Sequence, residues 1–143
     1  MIVYIDGGWD FSRSLGYASV YREGIDDEPL VFPIFNPQSS SCICEFEALV
    51  YALTMTPDSE KTHIYGDAQT VINQVIGNIE CGRVELFPYA KWAKRKLGNR
   101  KLIWIPRAQN KAHVNLKSIF LPDDLWEEFE LRVLRVRGRK RKA

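Results

Sequence analysis

The 143-residue sequence has only three cysteines, Cys42, Cys44 and Cys81. A C-x-C pair with one distant partner builds no disulfide framework, and adding His63 and His113 gives no recognised zinc pattern. The thiols read as reduced and the protein as cytoplasmic. Long apolar runs are also missing. Nothing approaches the roughly 18 apolar residues of a membrane helix, so no membrane partner is expected. The opening MIVYIDGGWDF has no basic stretch and too short an apolar run for a secretory signal. There is no P-loop, no dinucleotide-binding Gly fingerprint and no G-x-S-x-G elbow, so no organic cofactor is expected. Internal repeats and low-complexity linkers are absent, and one domain as a monomer accounts for the length.

The most informative absence is of acid. Residues 86–122 hold nine bases and not one carboxylate, whereas residues 23–85 hold eleven acids against Lys61 and Arg83. The net charge of +2 therefore conceals strong segregation. Such a chain gathers carboxylates in one place and cations in another.

The periodicity places the elements. Residues 2–5 form a β-branched and aromatic run that should stop in a turn at Asp6-Gly7-Gly8. Residues 16–22 and 29–35 read as two more strands, with Pro33 suited to an edge. Serines at 39–41 offer N-caps for a helix carrying Phe46, Leu49, Val50 and Leu53 on one face and ended by Pro57. Residues 61–66 form a fourth strand, 68–79 a helix, 88–97 another helix, and 101–105 a fifth strand. Residues 110–120 and 122–136 read as further helices, and the tail 137–143 as a basic, disordered end. The predicted fold class is α/β, a five-stranded mixed sheet with a three-strand antiparallel meander, two parallel strands and flanking helices. The domain spans 1–120, with a helical extension at 121–136.

Three acids sit where a core would not choose them. Asp6 follows four apolar strand residues, Asp67 follows another strand, and Glu45 lies early in a helix among apolar neighbours. Acids are almost never buried without a partner. Taken singly, each is a turn, cap or solvated residue. Taken together, at the ends of neighbouring strands and on a crossing helix, they would converge and repel unless a hard divalent cation neutralised them.

The strings YIDGG (4–8), CEFEALVYAL (44–53), IYGDAQTVINQVIG (64–77) and WIPRAQNK (104–111) resemble the ribonuclease H family, type 1, in order and spacing. The resemblance covers residues 1 to about 118. It implies a ribonuclease H-like fold and endonucleolytic cleavage of the RNA strand of an RNA–DNA hybrid with two Mg²⁺ or Mn²⁺ ions. It implies Asp6, Glu45 and Asp67 as the metal ligands, Asp6 bridging both ions, Glu45 near the ribose 2′-hydroxyl and Asp67 beside the attacking water. Gly7, Gly8, Ser41, Gln69 and Asn110 are implied to touch nucleic acid, and Trp9, following the Gly turn, reads as an exposed loop aromatic suited to stack on a sugar or base.

The family's fourth acid, in N-x-x-A-D-x-L, has no counterpart. In residues 110–116 its place falls on Val114 or, in the other alignment, on His113. On a helix only one of these two faces the site. His113 is taken as the catalytic site-edge residue, with Val114 as the alternative. If Val114 holds the place, activity is weak, Mn²⁺-dependent or absent. The acid-free block supplies a basic helix with Lys91, Lys94 and Arg95 beside Trp92, suited to sequence-blind phosphate binding. Three functions remain open: a hybrid-cleaving nuclease, an inactive nucleic-acid-binding module, and a nuclease of the same fold for double-stranded RNA or branched DNA.

Overall fold

A computed structural model describes residues 1–35, 39–77 and 83–114. Its strands are β1 (Ile2–Asp10), β2 (Leu15–Arg22), β3 (Leu30–Ile34), β4 (His63–Gly66) and β5 (Lys101–Trp104). Its helices are α1 (Ser41–Met55), α2 (Gln69–Ile76) and α3 (Phe87–Leu97), with 3-10 turns at Val84–Leu86 and Arg107–Gln109. One five-stranded sheet runs in the order β3-β2-β1-β4-β5. β1–β2 and β2–β3 are antiparallel, and β1–β4 and β4–β5 are parallel. This is the mixed sheet expected from the sequence. Pro33 sits on the edge strand β3, where its missing N–H costs no ladder bond.

β1 departs from expectation. It does not stop at Asp6-Gly7-Gly8 but pairs with β2 as far as Asp10 opposite Leu15. The two glycines serve close approach rather than a turn. A Cβ on Gly7 would lie 2.5 Å from the Cys44 carbonyl carbon and from the Glu45 nitrogen. Only a residue without a side chain lets the start of α1 press onto the strand at this point. Ser40 caps that helix, its hydroxyl accepting the Ile43 amide at 3.3 Å. The face of α1 bearing Phe46, Ala48, Leu49, Ala52 and Leu53 is buried with Val3, Ile5, Ala18 and Val20 of the sheet.

Two further expectations are corrected. The helix expected over 68–79 ends at Ile76, because Gly77 adopts φ 88° and its amide bonds back to the Asn73 carbonyl. The helix expected to begin at Asn110 is absent over 110–114. Asn110 has extended backbone, the Asn110 side chain caps a turn by accepting the Ala112 amide, and the next residues leave that turn irregular. Residues 115–120, the extension 121–136 and the tail 137–143 lie outside the described residues.

Arg100 does not add to a phosphate-binding surface. It is 93% buried, and its guanidinium donates to the carbonyls of Leu53 (2.7 Å) and Thr56 (3.0 Å) at the end of α1 and to those of Lys96 and Leu97 at the end of α3. α1 has no base in its last turn. Arg100 satisfies carbonyls that helix ends leave orphaned and opposes both helix dipoles at once.

Candidate metal centre and nucleic-acid groove

The parallel pairing of β1 and β4 is short, running from Ile2 opposite His63 to Tyr4 opposite Tyr65. β4 then ends at Gly66, while β1 continues. A crevice opens at the carboxyl end of this pair, at the point where the chain order across the sheet reverses. Open α/β sheets bind ligands at such points. Asp6 lies on β1 beside the crevice, Asp67 follows the last residue of β4, and Glu45 enters from the first turns of α1.

One ligand oxygen from each of Asp6, Glu45 and Asp67 lies within 4.8 Å of the others. At that distance, with an effective dielectric near 20, two carboxylates repel by roughly 3 kcal/mol. Burial, followed by the charges of Asp6 and Asp67, pushes the Glu45 carboxyl up to about 9, although the Gly7 amide bonds to it and pulls the other way. Burial and Asp6 also raise Asp67, opposed by Asn110, Arg107 and His113. Three convergent carboxylates offering only oxygen donors fit a hard divalent cation such as Mg²⁺ or Mn²⁺.

The carboxylates are held by the surrounding protein. Asp6 is only 4% exposed, and its Oδ2 accepts from the Tyr17 hydroxyl at 2.9 Å. His113 Nδ1 lies 3.0 Å from the same oxygen. An ionised carboxylate only accepts hydrogen bonds, so Nδ1 carries the hydrogen. The Trp104 indole N–H donates to the Asp67 carbonyl at 3.1 Å. The Asn110 amide donates to Asp67 Oδ2 at 3.2 Å and to the Ile5 carbonyl at 2.8 Å.

Around the cluster runs an open groove of about 990 Å³, lined by Gly7, Gly8, Trp9, Ser41, His113 and Val114 among others. His113 and Val114 both line it, so the expectation that only one faces the site is corrected. That expectation assumed a helix, and the backbone here is irregular. Trp9 lies in β1, partly buried against the core, and not on an exposed loop. Asn110 is buried and its side-chain amide bonds inside the protein, so it acts as an internal strut rather than the expected contact to nucleic acid. Gln69 is exposed at the start of α2, and Lys91, Lys94 and Arg95 are exposed on α3. None of these four is among the groove-lining residues.

Five groove residues had not been singled out from the sequence: Asp10, Phe11, Ser12, Tyr17 and Arg107. Phe11 is 82% exposed just past the end of β1. Arg107 stands close enough to lower the Asp67 carboxyl. It lies inside the string WIPRAQNK, one of the strings that carry the resemblance.

No family model matches the sequence, and no curated protein does. Solved structures do match. Ribonuclease H1 from the halophilic archaeon Halobacterium salinarum NRC-1 superposes with a TM-score of 0.61 at 22% identity, covering 78% of this chain and 89% of that one. LC11 ribonuclease H1 in complex with an RNA/DNA hybrid gives 0.61 at 20% identity, covering 76% and 87%. This chain has the ribonuclease H fold. In this ribonuclease H-like chain the three carboxylates stand together at the sheet's crevice, with His113 and Val114 along the same groove. Among the described residues no helix is long and apolar enough to cross a membrane.

Proposed function

We propose that the chain is a divalent-metal-dependent endonuclease that cleaves the RNA strand of RNA–DNA hybrids. The observation that carries this reading is the convergence of Asp6, Glu45 and Asp67 within 4.8 Å, at the crevice of a ribonuclease H fold. Bound Mg²⁺ or Mn²⁺ would supply an activated water and neutralise charge on the scissile phosphate. The three carboxylates would hold the ion, Asn110 keeps the Asp67 carboxylate from turning away, and Trp104 anchors the Asp67 backbone carbonyl. Arg107 offers a bidentate cation to a backbone phosphate beside Asp67. Trp9 and Phe11 give the groove apolar surface against sugars and bases. Ser41 offers a hydroxyl to the hybrid, and Gln69 adds an amide at the start of α2. Lys91, Lys94 and Arg95 extend the basic surface away from the groove and strengthen sequence-blind binding.

Two ions with Asp6 bridging both is the arrangement the resemblance implies. In this structure Asp6 Oδ2 already accepts from Tyr17 and His113. Oδ2 thus already has two partners, and the number of Mn²⁺ ions bound per chain would tell whether Asp6 serves one ion or two.

The test is cleavage of a labelled hybrid with Mg²⁺ or Mn²⁺, compared with Asp67→Asn. Loss of one ligand should remove several kcal/mol of transition-state stabilisation, at least about a thousandfold in rate. A wild-type chain that leaves the hybrid intact at high concentration with either metal refutes the reading. A second reading, a binding module without catalysis, rests on the missing acid at residues 113–114. Hybrid binding without cleavage selects it, and a panel including double-stranded RNA and branched DNA separates nucleases of other specificity.

A further inference from the structure

Tyr17 and His113 meet on one carboxylate oxygen of Asp6. Tyr17 lies on β2 opposite Gly8 and is 3% exposed. A Cβ on Gly8 would stand 2.5 Å from Tyr17 Cε1, so the ring lies across the space that glycine leaves. The ring reaches along β1 in the direction of Asp6, two positions earlier and on the same face of the strand. There its hydroxyl donates to Asp6 Oδ2 at 2.9 Å. His113 Nδ1 reaches the same carboxylate oxygen from the other segment at 3.0 Å. With Oδ2 held by both partners, Asp6 cannot turn about its Cα–Cβ bond without breaking both bonds.

We propose that Tyr17 is a positioning residue for the metal centre, fixing Asp6, together with His113, toward Glu45 and Asp67. This inference rests on the function proposed above. Tyr17 touches neither substrate nor metal and acts through Asp6. A tyrosine that only fills space would do so through its ring, whereas this role belongs to the hydroxyl. Preorganisation of this kind lowers the cost of gathering ligands around a cation.

The test compares the wild-type chain with Tyr17→Phe, which keeps the ring. Mn²⁺ affinity is measured by titration calorimetry, thermal stability by melting, and hybrid cleavage by its kcat and KM. Removing one hydrogen bond to a charged group should weaken Mn²⁺ binding by about tenfold and lower kcat by a similar factor. KM for the hybrid should stay within about twofold. A Tyr17→Phe chain with wild-type Mn²⁺ affinity overturns the proposal, including where its melting temperature falls, since that is the signature of a space-filling role. If the wild type binds Mn²⁺ but leaves hybrid intact, the nuclease reading fails, and the affinity comparison alone decides Tyr17: a weakened variant supports its role and an unchanged one overturns it. If the wild type binds no Mn²⁺, both fall.

Discussion

Gly7→Ala tests how the site is assembled. The added Cβ would lie 2.5 Å from the backbone of Cys44 and Glu45, where ordinary contact begins at 3.4 Å. These are main-chain atoms of a capped helix and cannot rotate aside. α1 must therefore retreat from β1 by about 1 Å, carrying Glu45 with it. Overpacking of this kind costs about 1–3 kcal/mol, a fall in melting temperature of about 4–12 °C for a chain of this length. The larger effect should fall on the site. A displacement of about 1 Å costs about a hundredfold in rate where geometry governs the chemistry. Gly24→Ala serves as the control, because it meets nothing within 4 Å yet places a side chain at φ +80°, imposing backbone strain away from the crevice. Melting curves, Mn²⁺ titrations and hybrid cleavage are compared for both variants. Gly24→Ala should lose stability alone, and Gly7→Ala should lose stability and Mn²⁺ affinity together. If Gly7→Ala binds Mn²⁺ as Gly24→Ala does, the close approach of α1 does not position Glu45 and the reasoning fails.

Three other outcomes follow from the same contacts. Arg100→Met keeps the aliphatic stem but orphans carbonyls at the ends of α1 and α3, and should cost about 3–5 kcal/mol in urea unfolding; a loss under about 1 kcal/mol would show that water replaces the guanidinium. The Arg22 guanidinium holds the Asp26 carboxyl below its ordinary value of 3.8. A depressed folded-state pKa stabilises the fold above the ordinary carboxylate range and is lost as acid protonates the folded carboxyl below it. The stability gap between wild type and Asp26→Asn should thus be full at about pH 7 and nearly closed at about pH 2; a gap that persists in acid contradicts this. Burial pushes the Cys44 thiol up to about 12, so native protein at about pH 8 should leave it unalkylated while urea exposes it, as peptide mapping after iodoacetamide will read.

The sequence was most legible where period and chemistry agreed. Strand alternation and helical spacing located the five strands and three helices, since each element buries one continuous face. Asp6, Glu45 and Asp67 stood out only jointly: each alone reads as a turn, cap or solvated residue, but at the ends of neighbouring strands and on a crossing helix they would converge and repel. Glycine misled at 7 and 8, because the feature that suits a turn, a missing side chain, also suits a strand under a close-packed helix. The two readings differ only in what lies above the residue. Arg100 counted as one base among nine, although its charge is spent on carbonyls 44 and 47 residues earlier. Tyr17 was invisible for a related reason: alternation gives the face of a strand, not the reach of a side chain along it. The irregular backbone at 110–114 arose from an asparagine turn in which side chain competes with helix, and apolar spacing cannot detect that competition.

The strut formed by Asn110 has a consequence for the order of events in folding. Its bond to the Ile5 carbonyl closes a loop of 105 residues. Loop-closure entropy makes such a contact late relative to the local β1–β2 hairpin and the helices. During synthesis, the strands carrying Asp6 and Asp67 emerge and can pair before residue 110 has left the ribosome. The carboxylates would then sit near one another without their latch. Metal binding at native strength would therefore report a late tertiary closure, and a nascent chain stalled before residue 110 should carry the sheet without the finished centre.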